Sequence, residues 1–192
     1  MIFTFCKQQN NEESVLFSLE EIVIPSTVKN KNDINFKLEN GILFFANQAY
    51  SGVVNEYYSA GNLKSESEYY QGKREGKYLG FYPNNQKSFE RFYTNGLKSE
   101  IHFGWYQNKI KKFEYHFNNK GAYNGSIKDW FANGVLAKHF NFIEGKEAGS
   151  QKMWNSKGEI RANFYTVKNE RHGLIGLKKC VSVPHNKTVL VK

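Results

Sequence analysis

The sequence predicts an all-β protein: an elongated single-layer sheet of stacked β-hairpins, repeating about every 24 residues and capped at both ends. Three observations carry this prediction. One aromatic position recurs in step at Tyr57, Phe81, Trp105, Trp130 and Trp154, spaced 24, 24, 25 and 24 residues apart. Segments between these positions alternate, as in KKFEYHF, where Phe113, Tyr115 and Phe117 share one face and Lys112, Glu114 and His116 the other. Gly- and Asn-rich clusters punctuate the segments at hairpin spacing.

Residues 1–11 read as a flexible N-terminal segment and 12–50 as an N-terminal cap and lead-in. An array of hairpins exposes an unpaired edge at each end, so caps are expected. Within the cap, SVLFSLEEIVIPSTV is apolar enough for a strand or a short helix, and periodicity does not decide between them. The opening MIFTFCKQQNNEE resembles the end of a bacterial lipoprotein signal, with Cys6 as the candidate lipidation site. Its apolar stretch is shorter than a signal core, and Phe5 stands where a small residue is expected. A truncated start would place the chain in the cell envelope; otherwise the expected location is the cytoplasm.

Residues 51–176 are the repeats. Three further columns keep step with the aromatic one. They are Gly52, Gly76, Glu100, Gly125, Gly149 and Gly173; Tyr69, Tyr93, Phe117, Phe142 and Thr166; and Leu63, Lys87, Lys111, Leu136 and Ile160. Four columns in register over about 120 residues mark a quasi-one-dimensional array in which each unit touches mainly its neighbours. The single extra residue falls in NNKGAYNG, a loop, where insertion is tolerated. Residues 177–192 read as a C-terminal cap strand, with Pro184 suited to an edge.

These units resemble a known family. GVVNEYYSAGNLKSESEYYQGKREG is similar to the bacterial MORN-variant repeat of proteins labelled YwqK-type antitoxins, and NGILFFANQAYSG resembles that family's lead-in. The resemblance covers about residues 40–176. It departs at Glu100, which replaces a Gly, after Gln107-Asn108, where a Gly is missing, and in YTVKNERHG, which lacks the second-turn Gly. The resemblance implies hairpin architecture and an antitoxin or immunity role: binding a toxin and blocking it.

Which side of the sheet the rings occupy depends on the first turn of each unit. A two-residue turn at Ala60-Gly61 pairs Tyr58 with Leu63; a three-residue loop, Ser59-Ala60-Gly61 with a Gly bulge, pairs Tyr57 with Leu63. The three-residue loop is preferred. It is expected to join the Trp column to the Phe113/Tyr115/Phe117 side as core. The other side would then carry Tyr58, Tyr82, Tyr106 and Phe131 beside Lys64, Lys112 and Arg161, with Glu66, Glu90 and Glu114 interleaved. Such a ladder is either cross-strand packing or a partner-binding surface, since Tyr and Arg are common interface anchors. These seven Tyr, Phe, Lys and Arg residues are the candidate partner-binding set.

Composition narrows the chemistry. The formal net charge is +9, which suits an acidic partner, nucleic acid or an anionic membrane surface. Interleaved carboxylates argue against nucleic acid, and membrane association is expected only with lipidation at Cys6. No apolar run is long enough for a membrane-spanning helix. Cys6 and Cys180 form no metal pattern. His102, His116, His139, His172 and His185 share no repeat position and no ligand spacing, and neither a nucleophile elbow nor a phosphate loop is present. Expected, then, is a non-enzymatic protein-binding module without cofactor or metal, with an envelope or membrane-surface scaffold as the alternative.

Overall fold

The structure is a computed structural model and describes residues 22–176. The segment 1–11, Cys6, most of SVLFSLEEIVIPSTV, Cys180 and the cap strand 177–192 lie outside the described residues. The described chain is all strand and turn. Its strands are β1 (Val28–Asn30), β2 (Phe36–Glu39), β3 (Ile42–Phe45), β4 (Gln48–Ala49), β5 (Gly52–Tyr57), β6 (Leu63–Tyr70), β7 (Lys73–Phe81), β8 (Lys87–Thr94), β9 (Leu97–Trp105), β10 (Lys111–Phe117), β11 (Tyr123–Trp130), β12 (Leu136–Ile143), β13 (Lys146–Glu147), β14 (Gly149–Trp154), β15 (Ile160–Val167) and β16 (Glu170–Leu174). Thirteen strands form one open sheet in the order β1-β5-β6-β7-β8-β9-β10-β11-β12-β14-β15-β16, with β13 paired to β12. Apart from β1, which runs parallel to β5, the pairs follow chain order and are antiparallel. A separate three-stranded sheet, β2-β3-β4, is tied to the first repeat by Leu43 N–H to Gly72 C=O at 2.8 Å and Gly72 N–H to Tyr50 C=O at 2.7 Å.

Turn chemistry explains the period. Each unit opens with the same three-residue loop. In the first, Tyr58 N–H donates to Asn62 C=O and Gly61 N–H to Tyr58 C=O, both 2.9 Å. That loop needs one left-handed residue, supplied in turn by Gly61, Asn85, Lys109, Gly134 and Gly158 at φ between 64° and 87°. The second turn is a two-residue turn with both residues left-handed, as in Gln71-Gly72 (48°, 78°) and Lys168-Asn169 (50°, 65°). Asn169 thus fills the place of the missing glycine. The extra residue turns one of these tight turns into a three-residue loop, Asn118 to Ala122, closed by Gly121 N–H to Asn118 C=O.

Register corrects one expectation. Tyr57 does pair with Leu63, Trp105 with Lys111 and Trp130 with Leu136, as the three-residue loop requires. The very next pairs are Glu56 with Ser65 and Gly104 with Phe113, because a β-bulge inserts one residue there. Lys112 and Phe113 both stand opposite Gly104, so the alternation reverses just beyond the loop. The Trp column is therefore on the face opposite Phe113, Tyr115 and Phe117, not joined to them as core. Trp105, Trp130 and Trp154 are only half-buried, and Tyr57 is exposed.

We call the Phe113/Tyr115 side the front and the Trp105 side the back. The front is the drier one: Val54, Ser65, Ser67, His102, Ile127, Gln151, Ala162, Phe164 and Thr166 are all buried there. Space on the front is made by glycine. A Cβ built on Gly80 or Gly104 would run into the ring of Phe89 or Phe113 on the neighbouring strand, so each ring lies over its glycine.

Candidate front-face binding surface

Rings run along the front from strand to strand. Centroids are 4.8 Å apart for Tyr78 and Phe89, 4.8 Å for Phe113 and Tyr115, 4.9 Å for Phe117 and Tyr123, and 5.8 Å for Phe140 and Phe164. Cations sit on them. The Arg91 guanidinium lies 4.5 Å from the Phe89 centroid and 5.9 Å from that of Phe113, and Lys98 Nζ lies 5.3 Å from Phe117. Among the described residues neither Arg91 nor Lys98 has a carboxylate partner. Lys138 lies 6.0 Å from Tyr115 and pairs with Asp129. Tyr115 O–H also donates to Asp129, at 2.5 Å. Burial first, then this carboxylate, pushes the Tyr115 phenol far above its usual range, so it stays a donor.

His102 anchors the middle of this lane. Burial pulls its imidazole below the usual range, and the charges of Arg91 and Lys98 add to that; its bond to the Phe92 carbonyl opposes them. The ring is neutral at pH 7, and its Nε2 donates to Phe92 C=O at 2.8 Å. It is a packing residue, its ring tilted against that of Phe117 with centroids 4.5 Å apart.

The back carries the opposite electrostatics in its first three repeats. Glu66, Leu79, Glu90, Phe103 and Glu114 form one cross-strand row, continued by Lys128, His139 and Lys152. Lys87 bonds Glu90 and Lys111 bonds Glu114, each at 2.7 Å, one repeat apart. Each lysine also lies near the Trp of the next unit: Lys87 at 5.7 Å from Trp105 and Lys111 at 5.3 Å from Trp130. Burial alone would raise the Glu114 carboxyl, but Lys111, His116 and Lys128 outweigh it and hold it at about 2. Burial lowers His139, and its flanking Lys128 and Lys152 lower it further.

The predicted site residues divide accordingly. Lys64 lies 5.8 Å from Tyr58 and Lys112 5.4 Å from Tyr106, so these pairs do assemble, at the hairpin ends of the front. Glu66, Glu90 and Glu114 are not among them; the bulge puts these on the back. Tyr58, Tyr82, Tyr106 and Phe131 are half-buried rather than open. The hydroxyls of the three tyrosines donate to the carbonyls of Phe81, Trp105 and Trp130 at 2.9, 2.8 and 2.8 Å. Arg161 is an exposed bulge residue beside Ala162, opposite Met153. Sequence reasoning missed Arg91, Lys98 and Lys138. Their signal was available in SFERFYT, where Phe89, Arg91 and Tyr93 alternate onto one face.

No protein-family model and no curated protein matches the chain. Solved structures that match include a point mutant of S. aureus TarM in complex with fondaparinux, alpha-GlcNAc-glycerol and UDP. That match has 11% identity and a TM-score of 0.31, covering 60% of this chain and 21% of that one. The chain thus spans about a fifth of the length of that protein.

Proposed function

We propose that the protein is a non-catalytic binding module that captures an acidic, extended segment of a protein partner along its front face. The observation that carries this reading is the pair Arg91 and Lys98: cations seated on rings, without carboxylate partners among the described residues, while Glu66, Glu90 and Glu114 occupy the other side. Aromatic rings with arginine supply anchors of low conformational freedom, and unpaired cations supply attraction at the encounter stage. On the back, Glu90 and Glu114 are already neutralised by Lys87 and Lys111, so that side offers an acidic partner little attraction over its first three repeats. The toxin-blocking role implied by the family resemblance is one form of this reading, with the toxin as the acidic partner.

The test uses a tyrosine–glutamate copolymer as probe, followed by affinity capture from the source cells. Wild-type protein is expected to retain the probe at low salt and to release it as salt rises. Arg91→Glu with Lys98→Glu should abolish retention, and Glu90→Lys on the back should not. Equal retention by the Arg91/Lys98 variant, with its circular dichroism unchanged, would overturn the front-face assignment.

A further inference from the structure

We infer that a cavity at the N-terminal end of the front face is a binding site for a small organic carboxylate with an apolar body. The cavity holds about 400 Å³ between the β2-β3 hairpin and strands β5 to β7. That volume suits a compact organic molecule. Its walls differ in chemistry. Leu38 and Leu43, cross-strand partners in the hairpin, form an apolar roof with Phe36. Arg74, Ser65 and Ser67 form the polar floor.

Arg74 is the group that selects the ligand. Its guanidinium is held among three rings, 4.7 Å from Tyr78, 5.6 Å from Tyr93 and 5.7 Å from Tyr69. Rings fix its plane and leave its N–H edge to find an acceptor. Among the described residues its Nε is buried without one and no carboxylate pairs with it. A buried donor of this kind is costly unless a partner arrives. Among the described residues, no acidic side chain lines the cavity. The two lysines at its rim are already engaged, Lys31 with Glu56 and Lys37 with Glu39.

One guanidinium in search of an acceptor matches a single negative charge, and its planar fork matches a carboxylate in two-point contact. A phosphate dianion would need more cationic donors than the floor offers. Leucine and phenylalanine opposite the arginine call for an apolar stem on the same molecule. The ligand class is therefore an aryl or alkyl carboxylate. The assignment is independent of the protein-capture reading, because the cavity lies under the roof hairpin and does not use Arg91 or Lys98.

The test titrates full-length protein with indole-3-acetate, phenylacetate and hexanoate, with their neutral amides, and with inorganic phosphate. Affinities are read by isothermal titration calorimetry for every variant, and in the wild type the site is reported by the 15N-resolved Nε–H resonance of Arg74. Carboxylates should shift it downfield to saturation, and the matching amides should bind at least tenfold more weakly. Arg74→Gln should lower carboxylate affinity at least tenfold. Leu38→Trp, at an exposed roof position that tolerates change, should do the same by filling the cavity if loss of Arg74 unfolds the chain. Equal binding of acids and amides, tighter binding of phosphate, or no shift with any probe at 10-fold excess over the protein would each overturn the assignment.

Discussion

The hydroxyl of Tyr106 donates to the main-chain carbonyl of Trp130, 2.8 Å away and one repeat further along. Tyr58 and Tyr82 make the same bond to the units that follow them. These rungs tie neighbouring hairpins together at their loop ends, where strand pairing has already stopped. Phe131 occupies the next position and has no hydroxyl to offer. Tyr106→Phe is therefore expected to cost about 1 kcal/mol, the net worth of one hydrogen bond. Phe131→Tyr should stabilise by a similar or smaller amount by adding a rung to Trp154. Urea melts of the two variants check this, and the opposite signs are the signature. Equal and negligible shifts would show that the rungs carry no energy.

Glu100 stands in the glycine column and takes the same left-handed backbone as its neighbours, at φ 56° against 76° for Gly76 and 96° for Gly125. A side chain there costs roughly 1–2 kcal/mol, partly offset because glycine loses more freedom on folding. Glu100→Gly should stabilise the protein by about 0.5 kcal/mol or more, and Gly125→Ala should destabilise it by about 1 kcal/mol. Thermal melts of both variants give the comparison. Destabilisation by Glu100→Gly would mean that the carboxylate makes up for its strain through another contact.

Gly104 has an ordinary backbone and is needed for a different reason: the Phe113 ring covers it. Gly104→Ala should cost about 1–3 kcal/mol by overpacking. Adding Phe113→Leu should recover part of that loss, because the two positions share one space. A double-mutant cycle by chemical denaturation measures the coupling. Strict additivity would show that the ring does not depend on the glycine.

The repeat was legible because turns dictate sequence strongly. Left-handed positions favour Gly and Asn, so Gly61, Asn85, Gly134 and Gly158 announce the hairpins even though Lys109 fills the same place in one unit. Faces were less legible. The loop at Ser59-Ala60-Gly61 and the pairing of Tyr57 with Leu63 follow from the turn residues. The bulge at Lys64-Ser65 has no residue signature, and one inserted residue exchanges the two sides of the strand beyond it, a shift that recurs in each hairpin. The expected grouping of Tyr106 and Lys112 survived this, because Lys112 is the inserted residue itself and reaches the Tyr106 ring. The expected company of Glu114 did not. Arg74 and the cavity around it were hidden for another reason: they depend on where β2 and β3 fold back, a long-range contact that the repeat pattern does not encode.

Glu114 makes the back face pH-sensitive at the acid end. Its carboxyl is held at about 2 in the folded protein, against an ordinary value near 4.5. Below the ordinary value the unfolded chain takes up a proton that the folded chain still refuses, so acid favours unfolding. The stabilisation is complete above about pH 5, fades as pH falls from there, and is gone once pH drops below the folded value. Its side chain is mostly covered, but Lys111 and Lys128 are partly in water, which screens the pairs and limits the total to about 1–2 kcal/mol. Glu114→Gln should therefore melt lower than wild type at pH 7, and the two curves should converge toward pH 2. The Lys111→Met variant should lose part of the same difference, because Lys111 is the closest of the cations that lower the carboxyl. Thermal melts between pH 2 and pH 7 at constant ionic strength decide it. A wild-type advantage that stays constant across that range would show that Glu114 acts through packing and not through its charge.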